Sequence, residues 1–145
     1  MRLSVVVTSI LLLGTSCVQA KTLGVSIANA NDAFLHSLLG GIKNAADKIP
    51  DMKLHVEDAG GGPSRQMEQI NKLAADRVDA MIGILSDGDR GAKISQIGIT
   101  ASIPVVYVNN VPVNSAELPA HQTVVASDEV ESGTMETQEV CRLLG

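Results

Sequence analysis

Aromatic side chains are nearly missing from this 145-residue chain: Phe34 and Tyr107 stand alone of their kinds, and there is no tryptophan. A site that stacks flat rings on pyranose faces has one or two at most to draw on here. Charge is acidic, since 11 Lys and Arg face 16 Asp and Glu for a net charge of −5. With no basic block anywhere, nucleic acid and anionic membrane are poor partners. Cysteine is limited to Cys17 and Cys141, and the histidines His36, His55 and His121 are too scattered for metal-ligand spacing. No Ser-His-Asp order is evident, no GxGxxG follows the first apolar run, and the triple glycine at 60–62 lacks the Lys-Ser/Thr of a phosphate loop. The sequence therefore predicts no cofactor, no metal and no enzyme.

What is present begins with an export signal. Arg2 precedes the apolar run Val5 to Leu13, and Val18-Gln19-Ala20 is a small-x-small cleavage site. The run is too short to cross a bilayer, so residues 1–20 are read as a signal peptide cut after Ala20. Lipidation at Cys17 is the weaker reading, because Gly14 stands where such signals carry a large aliphatic residue. Cleavage removes one positive charge, Arg2, and one cysteine. The mature chain at −6 has no intrachain disulfide and must rely on its core, with Cys141 expected as a small buried hydrophobe.

From residue 21 onward, strand and helix patterns alternate. Leu23 to Ala28 fits a buried strand, and Leu35, Leu38, Leu39, Ile42, Ala46 and Ile49 recur at helical spacing. Met52, Leu54 and Val56 alternate with Lys53, His55 and Glu57, the mark of an edge strand with one wet face. Met67, Ile70, Leu73, Ala74 and Val78 give a second amphipathic helix, and Asp79 to Leu85 a strand buried on both sides. A weaker helix over Ala92 to Ser102, interrupted by Gly98, precedes a strand over Val105 to Val108. A loop rich in Pro, Asn and Ser then leads to a short strand, Thr123 to Ala126, and a last helix. The fold class is α/β, a doubly wound parallel sheet with order beginning 2-1-3-4.

Such sheets bind ligands outside the carboxyl ends of the strands, where the strand order reverses. The loops meeting there are Asn29 to Ala33 and Ser86 to Arg90. Amides and carboxylates without lysine suit a neutral, hydroxyl-bearing ligand. Asp32 reads either as the N-cap of the first helix or as a hydroxyl acceptor, and Phe34 either as core or as a stacking ring. Asp87 and Asp89, beside Arg90, read either as a solvated helix start or as ligand contacts. Asn29 and Asn31 are ordinary loop residues that rank as contacts only by position.

The segments GVSIANANDAF, VDAMIGILSD, IPVVYVNN and VASDEVESGTMETQEVC resemble, in order and spacing, the type I periplasmic sugar-binding proteins of ABC transporters, across residues 21 to 145. The resemblance implies two lobes closing on a monosaccharide or an inositol-like polyol, an ABC permease as partner, a monomer, and a periplasmic location. It places Asp32 on the family's acidic hydroxyl acceptor, Phe34 on its stacking aromatic and Asp87 on the carboxylate closing the third strand; Asn31 and Asp89 join them as contacts by loop position alone. Ile84-Leu85 replaces the family's usual Asn-Pro, and Asn110 stands where a basic residue is common. It also divides the chain into an N-terminal lobe over residues 21–109 and a hinge crossing with the start of a truncated second lobe over 110–145. That division leaves Val105 to Val108 as an open sheet edge. A sensor or chemoreceptor ligand-binding protein is the alternative function, and a sugar-responsive repressor-type effector domain a more distant one.

Overall fold

A computed structural model describes residues 20–145; the signal-peptide reading lies almost wholly outside them. Five strands, β1 (Lys21–Ile27), β2 (Met52–Asp58), β3 (Ala80–Ile84), β4 (Val105–Val108) and β5 (Gln122–Val125), form one parallel sheet in the order β2-β1-β3-β4-β5. They alternate with α1 (Ala33–Ala46), α2 (Pro63–Ala75), α3 (Gly91–Ala101) and α4 (Glu129–Leu144). The edge assignment of β2 from its alternating pattern holds, and so does the reversal of strand order between β1 and β3.

The side-chain period of two divides the core. Val25, Ile27 and Ile84 point to one face and pack with Leu35 and Leu39 of α1. Met81, Leu85, Val105 and Tyr107 point to the other, against Ile70 and Leu73 of α2 and Ile94 of α3. Helices on both faces explain why β1 and β3 read as continuous apolar runs. Fully burying one such aliphatic side chain contributes about 1.5–3 kcal/mol. Aliphatic residues fill this core almost alone, and Tyr107 is the only ring in it.

Gly98 in α3 lowers helix propensity but has a packing reason. A Cβ there would lie 2.7 Å from Val105 Cγ2 and 3.1 Å from the Ile103 carbonyl oxygen. The glycine lets α3 approach β4 closely, where its neighbours are fixed by the sheet.

Two expectations are corrected. The sheet does not end at residue 109: β5 pairs with β4 from Val105–Gln122 to Val108–Val125, so β4 is internal and β5 is the edge. The Pro-Asn-Ser loop that read as a linker is a strap whose Pro112 is fully buried, and its far end returns to the same sheet. Cys141 is exposed rather than buried, because α4 buries none of its residues among those described.

Candidate functional site

Three loops leave the carboxyl ends of β1, β3 and β4 side by side. The register fixes this, with Ile27 beside Ile84 and Gly83 beside Tyr107. The first loop is held from beneath by Asp58 at the end of β2, whose Oδ1 accepts from the Ala30 amide at 3.0 Å and the Gly60 amide at 2.9 Å. Asn29 Oδ1 accepts from the Asn31 amide at 3.0 Å, a local turn that favours Asn over apolar residues. Asn29 is thereby a turn former, while Asn31 is exposed at the tip.

Asp32 does cap α1: its Oδ1 accepts from the Leu35 amide at 2.9 Å. That bond occupies one lone pair of a carboxylate that has about four acceptor positions. The residue is exposed, so capping and ligand contact are compatible rather than exclusive. Phe34 is 60% exposed, which removes the core reading. Helix phase explains it: Leu35 and Leu39 turn toward the sheet, and the residue before Leu35 turns away from it.

The second loop begins with Ser86 and contains a short 3-10 turn, Gly88–Arg90. Asp87 Oδ1 accepts from the Asp89 amide at 2.9 Å, and its Oδ2 lies 3.5 Å from Arg90 Nε. Asp87 thus starts the turn, with about a third of its side chain open to solvent. Asp89 is exposed. The third loop opens with Asn109 in the left-handed region at φ 68°, a conformation Asn tolerates well. The bend lets Asn110 Nδ2 donate to the Leu85 carbonyl at 2.5 Å, while Asn109 Nδ2 donates to Asn110 Oδ1 at 3.0 Å. Asn110 therefore brackets β4 to the end of β3 and has both polar ends engaged.

The strap after it packs on the start of α3. Val113 donates its amide to the Gly88 carbonyl at 3.2 Å, and a Cβ on Gly91 would lie 2.3 Å from Pro112 Cβ. Only glycine admits the strap there. Tyr107, the second ring of the chain, is fully buried, and desolvation pushes its phenol up to about 12. It therefore cannot face a ligand, and Phe34 is the one ring available at the strand ends. Asp32, Phe34, Asp87, Asp89, Asn31 and Asn110 all lie on the segments that follow the carboxyl ends of β1, β3 and β4. A surface hollow of about 550 Å³ lies at the opposite end of the sheet, lined by Ile99, Pro104, Pro119 and His121 among others.

The sequence reading missed Gln66. It is 1% exposed and makes four hydrogen bonds, two of them to Ser86 at the root of the second loop. The signal was available in its phase: Gln66 lies four residues before Ile70 and seven before Leu73, on the stripe of α2 that faces the sheet.

A doubly wound α/β lobe with polar loops and one open ring at its switch point is the architecture of a small-ligand binding lobe. The periplasmic binding protein domain family matches residues 23–145, and the chain belongs to that family. It is 39% identical over 130 residues to a protein of Rhizobium meliloti named for rhizopine binding, covering 90% of this chain and 42% of that one. It is 31% identical over 124 residues to the ribose import binding protein RbsB of Bacillus subtilis, covering 86% and 39%. Among solved structures, it matches an ABC transporter solute-binding protein of Bacillus halodurans with bound myo-inositol, at TM-score 0.79 and 28% identity over 90% of this chain and 44% of that one. The chain spans about two fifths of the length of the curated relatives it matches.

Proposed function

We propose that this chain carries the N-terminal ligand-binding wall of a solute-binding protein serving an ABC-type importer, and that its ligand is a monosaccharide or an inositol-like polyol. The observation that carries this is the shelf itself: an exposed ring, Phe34, two residues from the Asp32 carboxylate and across the switch point from Asp87. A polyol presents a face of C–H bonds to a ring and a rim of hydroxyls to carboxylates, and bonds to charged acceptors are about twice as strong as neutral ones. The relatives' names, rhizopine and ribose binding, and the myo-inositol in the solved neighbour agree with that ligand class. Export with cleavage after Ala20, a membrane permease as partner and a binding rather than catalytic role complete the proposal.

The crossing to a second lobe fits residues 126–128 better than residue 109. The sheet runs to Val125, and α4 opens at Glu129 with the Asp128 carboxylate accepting from the Val130 and Glu131 amides. Periplasmic binding proteins close two lobes on their ligand, and one wall alone keeps only part of the contacts. At about 1 kcal/mol per lost hydrogen bond, binding by this lobe falls in the millimolar range. Amide chemical shifts detect such affinities. Titration of the 145-residue chain with myo-inositol and ribose to tens of millimolar is expected to move Asn31 to Phe34 and Asp87 to Asp89. No shifts, or shifts confined to Ile99, Ala120 and His121 at the opposite end of the sheet, would defeat the proposal.

A further inference from the structure

Past Ile84, whose ladder partner is Ile27 of β1, the chain leaves the sheet at Leu85, which is fully buried, and Ser86. Buried backbone groups there need partners outside the ladder. Gln66 supplies part of them from α2. Its Nε2 donates to the Ile84 carbonyl at 2.9 Å and to Ser26 Oγ at 3.2 Å, and its Oε1 accepts from the Ser86 amide at 2.8 Å and the Ser86 hydroxyl at 2.9 Å. A side-chain amide has two donor hydrogens and two acceptor lone pairs, and all four are used. One side chain thus ties α2 to β1, to the end of β3 and to the first residue of the loop carrying Asp87. Asn110 holds the intervening Leu85 carbonyl from the β4 side.

We propose that Gln66 is a positioning residue for the ligand shelf: it fixes the direction in which the chain leaves β3, and through Ser86 the orientation of the Asp87 carboxylate. This role rests on the reading of Asp87 as a ligand contact, so two measurements separate it from that reading. The first is amide hydrogen exchange of the 145-residue chain and its Gln66→Met variant, which keeps the side-chain length and removes the hydrogen bonds. Positioning predicts at least about tenfold faster exchange at Ser86 and Asp89, with no change at Leu35, whose amide Asp32 holds. A merely structural Gln66 would instead speed all protected amides together, and that result, or an unchanged Ser86, overturns the role. Should Gln66→Met fail to fold, Ser86→Ala removes one bond to the same amide oxygen. It is expected to speed Asp89 alone by about twofold, and an unchanged Asp89 overturns the role. The second measurement is titration with myo-inositol, in which Gln66→Met is expected to lose the shifts at 87–89 and keep those at 31–34. Retention of both sets overturns the role. If the unaltered chain shows no shift with myo-inositol, the binding function fails, and hydrogen exchange still decides whether Gln66 orders the loop.

Discussion

Replacing Asp32 by Ala and by Asn separates the capping bond that the structure shows from the ligand contact proposed for the same carboxylate. The Ala variant deletes the 2.9 Å bond to the Leu35 amide, and loss of an N-cap of this kind costs about 1 kcal/mol within a range of 0.5–2. For a lobe of this size that is a fall in Tm of about 3–6 °C. Asn caps nearly as well as Asp and loses only part of the favourable charge at the helix N-terminus, about 0.3 kcal/mol at an exposed site, so its Tm should fall by no more than about 1–2 °C. Ligand binding does not follow the order of severity set by stability. A charged acceptor of polyol hydroxyls contributes about 1.5–3 kcal/mol, and on this exposed shelf the lower figure applies, so both variants should weaken myo-inositol about tenfold. Thermal unfolding followed by circular dichroism and amide-shift titration read the two effects on the same samples. Equal losses of Tm in the two variants would refute the cap argument. Unchanged affinity in Asp32→Asn would refute the contact.

Three other perturbations test the fold and the shelf. Phe34→Ala should leave Tm almost unaltered, because an exposed side chain contributes within about 0.5 kcal/mol, yet abolish the myo-inositol shifts at 31–34; a Tm loss of the size expected for a core residue would contradict the observed exposure. Gly98→Ala should destabilise by about 1–3 kcal/mol through overpacking against Val105 and the Ile103 carbonyl. Gly41→Ala, in open space on α1, should stabilise by about 0.5–1 kcal/mol, and urea unfolding of the pair must give opposite signs. Tyr107 predicts alkaline unfolding. Burial raises its phenol to about 12 in the folded chain, whereas the unfolded phenol titrates near 10. The protonated ring's contribution is complete below pH 10 and is lost as pH rises from 10 to 12, by up to about 1.4 kcal/mol per pH unit. Tm measured at pH 9 and pH 11.5, with phenolate absorbance, checks it.

Element types were legible where periodicity was long and unmixed. The alternation of β2 gave its edge position, and the apolar run of β3 its burial on both faces. Local chemistry also exposed the N-cap at Asp32, since the same residue serves as boundary signal and bond acceptor. What sequence could not display was contact across the fold. Gly98 counted against α3 because its compensation, close approach to Val105, comes from a strand seven residues away and later in the chain. Gln66 looked like any polar residue of an amphipathic helix until its phase is compared with Ile70 and Leu73. The break at residue 109 came from the family resemblance, whereas Pro112 and the β4–β5 pairing hold the following segment to the same sheet. The choice between core and open ring for Phe34 turned on one residue of helical rotation, 100° in an α-helix, which a spacing to Leu38 does not resolve.

The scarcity of aromatics makes the central claim directly measurable. Phe34 is the only phenylalanine, and the only tyrosine, Tyr107, is fully buried, so the phenyl and phenol proton signals, distinct from those of the three histidines, divide between the shelf and the core. Intermolecular nuclear Overhauser effects between myo-inositol ring protons and the protein are therefore expected at the Phe34 ring and at Asn31 and Asp87, with none at Tyr107. Contacts from myo-inositol to Ile99 and Pro119 at the other end of the sheet, with Phe34 silent, would contradict the account.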